Sequence, residues 1–318
     1  TIFGAVFEST LNPETRRQGG MHYTSVENIH KVIDPLFLNN LKNELNEIKK
    51  TKQPATLKKK ATAFQEKLAN LTFFDPACGS GNFLTETYLQ LRRLENDAIK
   101  LIYPNPSLDV GQAKDIIKVS IQQFYGIEIN DFAVSVAKTA LWIAESQMLE
   151  ETKDIFYADW DFLPLKTYTN IHEGNALRMD WNEVIPNYAC HYIIGNPPFK
   201  GLSALPTLNR KLKVQQSGDM DYVFKDLPKH GKLDYVAAWY EKAVNMMQNT
   251  DIKAAFVSTN SITQGEQVGI LWKHLIDKKN LSIIFAYRSF IWNSEAKDKA
   301  KVHCVIIGFT CGKYNKDK

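Results

Sequence analysis

The chain has 318 residues, enough for one large α/β domain or two smaller ones. Its 44% hydrophobic and 23% charged content is that of a globular protein, and no apolar run reaches the roughly 18–20 residues of a membrane span. A net charge of +4 permits a nucleic-acid partner without demanding one, and the N-terminus lacks the basic region and apolar core of a signal peptide.

Residues 1–70 read as an N-terminal helical segment. Val26, Ile29, Ile33, Leu36, Leu41 and Leu45 keep a helical rhythm that is expected to break at Pro35. Lys49 to Lys60, interrupted by Pro54, reads as a solvated helix face and a turn. From residue 71 onward strand and helix patterns alternate. Leu71–Phe74, Phe124–Ile129, Ile171–Glu173, Ala189–Ile194, Ala254–Ser258, Ser282–Tyr287 and Val302–Phe309 read as strands. Phe83–Lys100, Asp131–Glu150, Leu233–Gln248 and Glu266–Asp277 read as helices, with Asp131 as an N-cap. This alternation predicts an α/β fold over 71–318, with a mixed seven-stranded sheet and helices on both faces. The last two strands lack a helix between them, so one of them is expected to run antiparallel. Residues 200–232 read as a long polar loop. Lys200, Arg210, Lys211, Lys213, Lys225, Lys229 and Lys232 outnumber Asp219, Asp221 and Asp226 there, which suits contact with phosphates.

Cys78, Cys190, Cys304 and Cys311 form no Cys-x-x-Cys pair, and the seven histidines have no metal-ligand spacing. Reduced packing cysteines in a cytoplasmic protein, and no metal, are expected. Glu295-Ala296-Lys297 is half of a nuclease signature, but no Pro-Asp motif precedes it.

Two motifs carry chemistry. Asp75-Pro76-Ala77-Cys78-Gly79-Ser80-Gly81-Asn82-Phe83 follows the first strand of the alternating region and opens a helix. Gly79 and Gly81 allow a sharp turn and a close approach to a ligand, and the free N–H groups of a helix start attract anions. Leu84 stands where a third glycine of G-x-G-x-x-G would be, and no phosphate-cradling Lys is present, so a P-loop is excluded. Glu128, at the end of the next strand, suits both hydroxyls of a ribose, as in NAD or S-adenosylmethionine. The second motif, Asn196-Pro197-Pro198-Phe199, ends an apolar strand in a rigid polar turn beside an aromatic ring.

In this order the two motifs resemble the gamma class of adenine-N6 DNA methyltransferases. Phe3–Glu8, Arg16–Thr24, Asp75–Leu84 and Gly174–Trp181 look more closely like the methyltransferase region of MmeI-like (type IIG/IIL) restriction–modification enzymes. The resemblance implies a Rossmann-like class I S-adenosylmethionine-dependent methyltransferase fold. It implies S-adenosylmethionine as cofactor, held by Asp75, Pro76, Ala77, Cys78, Gly79, Gly81, Asn82, Phe83, Glu128 and Ile129. Asn175 and Ala176, in Glu173-Gly174-Asn175-Ala176-Leu177, take the position that faces the adenine ring of the cofactor. Asn175 departs from the Asp of many members, although its amide offers both an acceptor and a donor. Thr24 belongs to a motif that closes over the methionine end of the cofactor, and Thr24 or Ser25 equally suits a helix N-cap.

The same resemblance assigns catalysis to Asn196, Pro197, Pro198 and Phe199, with Asn196 also beside the cofactor. The exocyclic amino group of adenine is a poor nucleophile because its lone pair is delocalised. Acceptors on its two N–H bonds, the Asn196 side-chain oxygen and the Pro197 carbonyl, localise that pair, and Phe199 stacks on the base. The base must leave its duplex, and Phe290 or Trp292, between the last two strands, would hold its other face. Double-stranded DNA is the implied partner. Endonuclease and DNA-recognition domains are the implied covalent neighbours, which this chain, with no initiator Met and ending at Lys318, is expected to lack. A protein-glutamine or RNA-base methyltransferase, which shares the Asn-Pro-Pro-aromatic motif, is the alternative enzyme, and a non-catalytic DNA-binding module the alternative class.

Overall fold

The computed structural model describes residues 24–104, 116–156, 170–199, 210–292 and 302–312. Seven strands form one sheet: β1 (Phe73–Asp75), β2 (Phe124–Glu128), β3 (Ile171–Glu173), β4 (Tyr192–Gly195), β5 (Lys253–Thr259), β6 (Leu281–Trp292) and β7 (Val302–Cys311). Their order is β3-β2-β1-β4-β5-β7-β6. β1 to β5 are parallel, and β7 runs antiparallel to both β5 and β6. The expected mixed sheet with an antiparallel end is therefore present.

Alternation along the strands divides the core into two layers. Phe73, Phe124, Ala255 and Val257 face one, and Phe74, Ile127, Ala254 and Phe256 face the other. The first layer is covered by α1 (Val26–Ile33), α2 (Asn39–Lys49), α3 (Pro54–Asn70), α4 (Asn82–Ile102) and α5 (Asp131–Phe156). The second is covered by α6 (Trp181–Val184), α7 (Arg210–Val223), α8 (Ala237–Met247) and the helical turns of 260–278. Phe73 stacks on Phe124 and Tyr192 at 5.3 and 5.4 Å, and burying each such ring stabilises the fold by about 1.5–3 kcal/mol. Among the described residues no helix is long and apolar enough to cross a membrane.

Three expectations about these elements need correction, at Pro35, Asp131 and 200–232. Pro35 does not break its helix. Residues Asp34–Leu38 widen into a π turn closed by Asn39 N–H on the Asp34 carbonyl, which accommodates a residue that lacks an N–H. Pro54 interrupts the lysine-rich stretch as expected: a turn follows Lys49 and α3 starts at Pro54, where its missing N–H is no loss. The N-cap of α5 is Asn130 rather than Asp131, since Asn130 Oδ1 accepts from Ala133 N at 2.9 Å. The polar stretch 200–232 is helical over Arg210–Val223, where good helix formers need only Met220 and the following Phe224 to anchor them in the core. Lys200 lies outside the described residues.

Candidate active site

Strand order reverses between β1 and β4, and the crevice at their carboxyl ends is where an open α/β sheet binds its ligand. The sequence motifs end these two strands. Asp75 is 1% exposed and accepts from Ala77 N at 3.0 Å. Burial, with the charge of Glu128 added, pushes its carboxyl up to about 8. Its Oδ1 lies 2.6 Å from where a Cβ would stand on Gly195, so β4 can end beside it only with glycine.

The loop then turns through Gly79 (φ +53°) and Gly81 (φ +78°), both left-handed. Space around a Cβ at Gly79 is open to 4 Å, whereas Gly81 abuts Ala137 of α5 at 3.1 Å. Gly79 N donates to Glu128 Oε2 at 2.9 Å, and Asn130 N to Glu128 Oε1 at 3.0 Å. Glu128 thus braces the glycine turn while each oxygen keeps a lone pair for a further donor. Burial raises its carboxyl above the usual range, against the backbone donors that lower it. Ile129, next along, is 59% exposed. Pro76 is held by Trp239 of α8, whose Nε1 donates to the Pro76 carbonyl at 3.1 Å. Cys78 is buried, its Sγ 2.9 Å from a Cβ position on Gly126, and burial pushes its thiol well up, as suits a packing residue. Asn82 opens α4, and Phe83 is buried in the core beneath the loop.

At the end of β4, Asn196 Nδ2 donates to the Thr24 hydroxyl at 3.2 Å. This contact fixes the amide, and its buried Oδ1 has no hydrogen-bond partner among the described residues. Thr24 is 4% exposed, and its neighbour Ser25 caps α1 by accepting from Asn28 N at 3.4 Å. Of the two candidates weighed for the helix cap, Ser25 takes it. Pro197 is buried, Pro198 is half-buried, and Phe199 packs half-buried against the first core layer. After β3, Asn175 Oδ1 accepts from Leu177 N at 3.0 Å and Nδ2 donates to Asp219 at 3.0 Å. Ala176 is buried, its carbonyl accepting from Trp181 Nε1 at 2.8 Å.

Thr24, Asp75 to Phe83, Glu128, Ile129, Asn175, Ala176 and Asn196 to Phe199 therefore stand at the carboxyl ends of four adjacent strands or, for Thr24, against one of them. Phe290 and Trp292 are not in a loop. β6 runs on through them with register shifts between Ile283/Phe285 and Tyr287/Phe290, as its β-branched and aromatic residues favour. Phe290 lies 4.9 Å beneath the Lys31 ammonium of α1, and the Trp292 side chain is outside the described residues. The residues Trp239, Tyr235 and Asp219 support the site without any sequence signal beyond their type.

A parallel sheet with an antiparallel seventh strand inserted next to the edge, a glycine loop after β1 and an acidic end to β2 define the class I methyltransferase fold. The chain belongs to the MmeI DNA-methyltransferase domain family, whose sequence profile it matches over residues 47–318. It is 43% identical to the type IIL restriction–modification enzyme MmeI, solved in complex with DNA, with a TM-score of 0.89 over 99% of this chain and 40% of that one. It is 42% identical over 315 residues to DNA methyltransferase A of Bacillus subtilis (strain 168), covering 97% of this chain and 33% of that protein. The DrdV chain of a DrdV–DNA complex, at 15% identity and a TM-score of 0.57 over 97% of this chain and 28% of that one, shares the fold. The chain thus spans a third to two fifths of the length of the two nearer relatives described.

Proposed function

We propose that this chain transfers the methyl group of S-adenosylmethionine to the N6 amino group of adenine in double-stranded DNA, as the modification domain of a longer restriction–modification enzyme. The observation that carries the proposal is Asn196: its amide is oriented by Thr24, and its Oδ1 is a buried acceptor with no partner among the described residues, at the strand ends where the ligand crevice lies. Such an acceptor is costly to leave unfilled and is answered by an N–H donor.

The residues present fit the cofactor. The left-handed Gly79 faces open space, Glu128 has capacity for two hydroxyls, and Asp75 stands beside the crevice. When bound, S-adenosylmethionine supplies an electrophilic methyl on a sulfonium. Asn196 Oδ1 and the Pro197 carbonyl accept the two N6–H bonds of the base and localise the nitrogen lone pair. Phe199 stacks on the ring and holds it in line. With the cofactor bound beside Gly79 and Glu128, Asn196 and Pro197 would hold that amino group toward its methyl until the amino proton passes to solvent. Residues 1–70 are read as the segment that closes this site through Thr24, and 71–318 as the catalytic domain. MmeI and DrdV in their DNA complexes, and the basic residues of 210–232, support DNA as partner.

The test has two stages. Calorimetric titration should show S-adenosylhomocysteine binding and no NAD binding. DNA treated with the enzyme and digested to nucleosides should then contain N6-methyladenine. Binding of NAD alone, or N4-methylcytosine as the product, would end the proposal.

A further inference from the structure

Asp219 of α7 is 1% exposed and gathers three donors from two separate segments, the loop after β3 and the residues before α8. Arg178 Nε reaches it at 2.6 Å, the Tyr235 hydroxyl at 2.8 Å and Asn175 Nδ2 at 3.0 Å. The Arg178 guanidinium also lies 4.6 Å from the centre of the Tyr222 ring, one turn further along α7. Its Nη2 stands 3.3 Å from where Gly218 would carry a Cβ, so glycine leaves it room. A buried carboxylate supplied by three donors is a joint between elements, unlike an exposed ion pair. It ties the loop after β3 to the helix that follows Asn196–Phe199 in the chain.

The Asn175 amide can satisfy this arrangement in one orientation only. Its Oδ1 accepts from Leu177 N while its Nδ2 donates to Asp219. Flipped, it would set NH2 against an N–H and a carbonyl against a carboxylate. An Asp at 175 would bring two carboxylates within about 3 Å of each other away from water, which is strongly unfavourable.

We propose that Asp219 is a positioning residue: it fixes which end of the Asn175 amide is offered to the adenine ring of the cofactor, and so makes adenine recognition depend on the seating of α7. This rests on the reading of Asn175 as the adenine-facing residue. α7 follows the catalytic loop in the chain, so disturbance of that helix is transmitted to the cofactor pocket through one carboxylate.

The experiment measures affinity for S-adenosylhomocysteine and for S-inosylhomocysteine, in which a carbonyl replaces the N6 amino group. Four forms of the chain are compared: wild type, Asn175→Asp, Asp219→Asn and the double variant. Wild type should prefer the adenine ligand. Asp219→Asn should lose that preference, and Asn175→Asp should bind the adenine ligand roughly tenfold more weakly. The double variant exchanges the two groups in place and keeps the bond between positions 175 and 219, with the Tyr235 hydroxyl turned to accept, so it should recover most of the loss, and it is the form to read if Asp219→Asn alone does not fold. Losses that simply add in the double variant, or an unchanged preference in Asp219→Asn, would overturn the role of Asp219. A wild type that binds both ligands equally would remove the adenine reading of Asn175 instead, and binding of neither would remove the cofactor reading itself.

Discussion

The two strand ends that meet at the crevice are finished differently. At the β1–β2 end the polar groups satisfy one another: Glu128 accepts from Gly79 N and Asn130 N, Asp75 accepts from Ala77 N, and Trp239 Nε1 donates to the Pro76 carbonyl. At the β4 end Asn196 is anchored on one side by Thr24 and left open on the other. The difference separates two tasks. A cradle that binds a ligand of fixed shape is stiff before the ligand arrives, and its Glu128 side chain holds spare lone pairs. A group that must reshape the amino nitrogen of a base keeps its acceptor unfilled until that nitrogen comes.

The largest effect that would test this contrast is on stability with pH. Asp75 is held with its carboxyl raised to about 8, so burial favours its neutral form. Its contribution is fully present below the unfolded value near 4 and is lost as pH rises to about 8. Asp75→Asn keeps an acceptor for Ala77 N and removes the titration. Its unfolding free energy relative to wild type should rise with pH across that window by on the order of several kcal/mol, at about 1.4 kcal/mol per unit. Parallel profiles for the two proteins in denaturant titrations would show that Asp75 is not a buried neutral acid. Asn196→Ala should slow methyl transfer by roughly 10²–10³-fold, as loss of one pre-placed hydrogen-bonding group does. S-adenosylhomocysteine affinity should change far less, and equal losses in both would erase the division of labour between the two ends. Glu128→Gln sets an amide NH2 against a backbone N–H and should weaken cofactor binding by about 1.5–3 kcal/mol. Unchanged calorimetric affinity would rule out its ribose role. Phe199→Ala should weaken the hold on the base by about 1–3 kcal/mol, seen as slower methylation at subsaturating DNA and restored at high DNA.

Most of this site was legible in the sequence because its residues must touch backbone. The Gly79 and Gly81 turn, the acid that ends β2 and the Asn-Pro-Pro turn after β4 are each dictated by local geometry, and local geometry leaves a local pattern. What escaped depends on partners far along the chain. Asn175 reads as a free amide until Asp219, 44 residues later, is seen to hold it. α7 reads as a loop because two apolar anchors do not make a helical stripe, and Phe290 reads as a loop aromatic until β7 pairs with it. Pro35 reads as a break because its effect on an α turn is known from sequence, while the wider turn that absorbs it is set by Leu36, Phe37 and Leu38 all seeking the core.

The placing of β7 also has a consequence for the order in which the sheet is built. Among the described residues β7 comes last of the seven strands, yet it lies between β5 and β6, both of which precede it. While a ribosome is delivering the chain, β6 has no neighbour to pair with and the apolar run Ala254–Val257 has an open edge. Both are satisfied in one event, when residues 302–311 emerge and slide in from the far end. Closure of the whole sheet therefore waits on β7, a non-local step of the kind that sets the pace of folding.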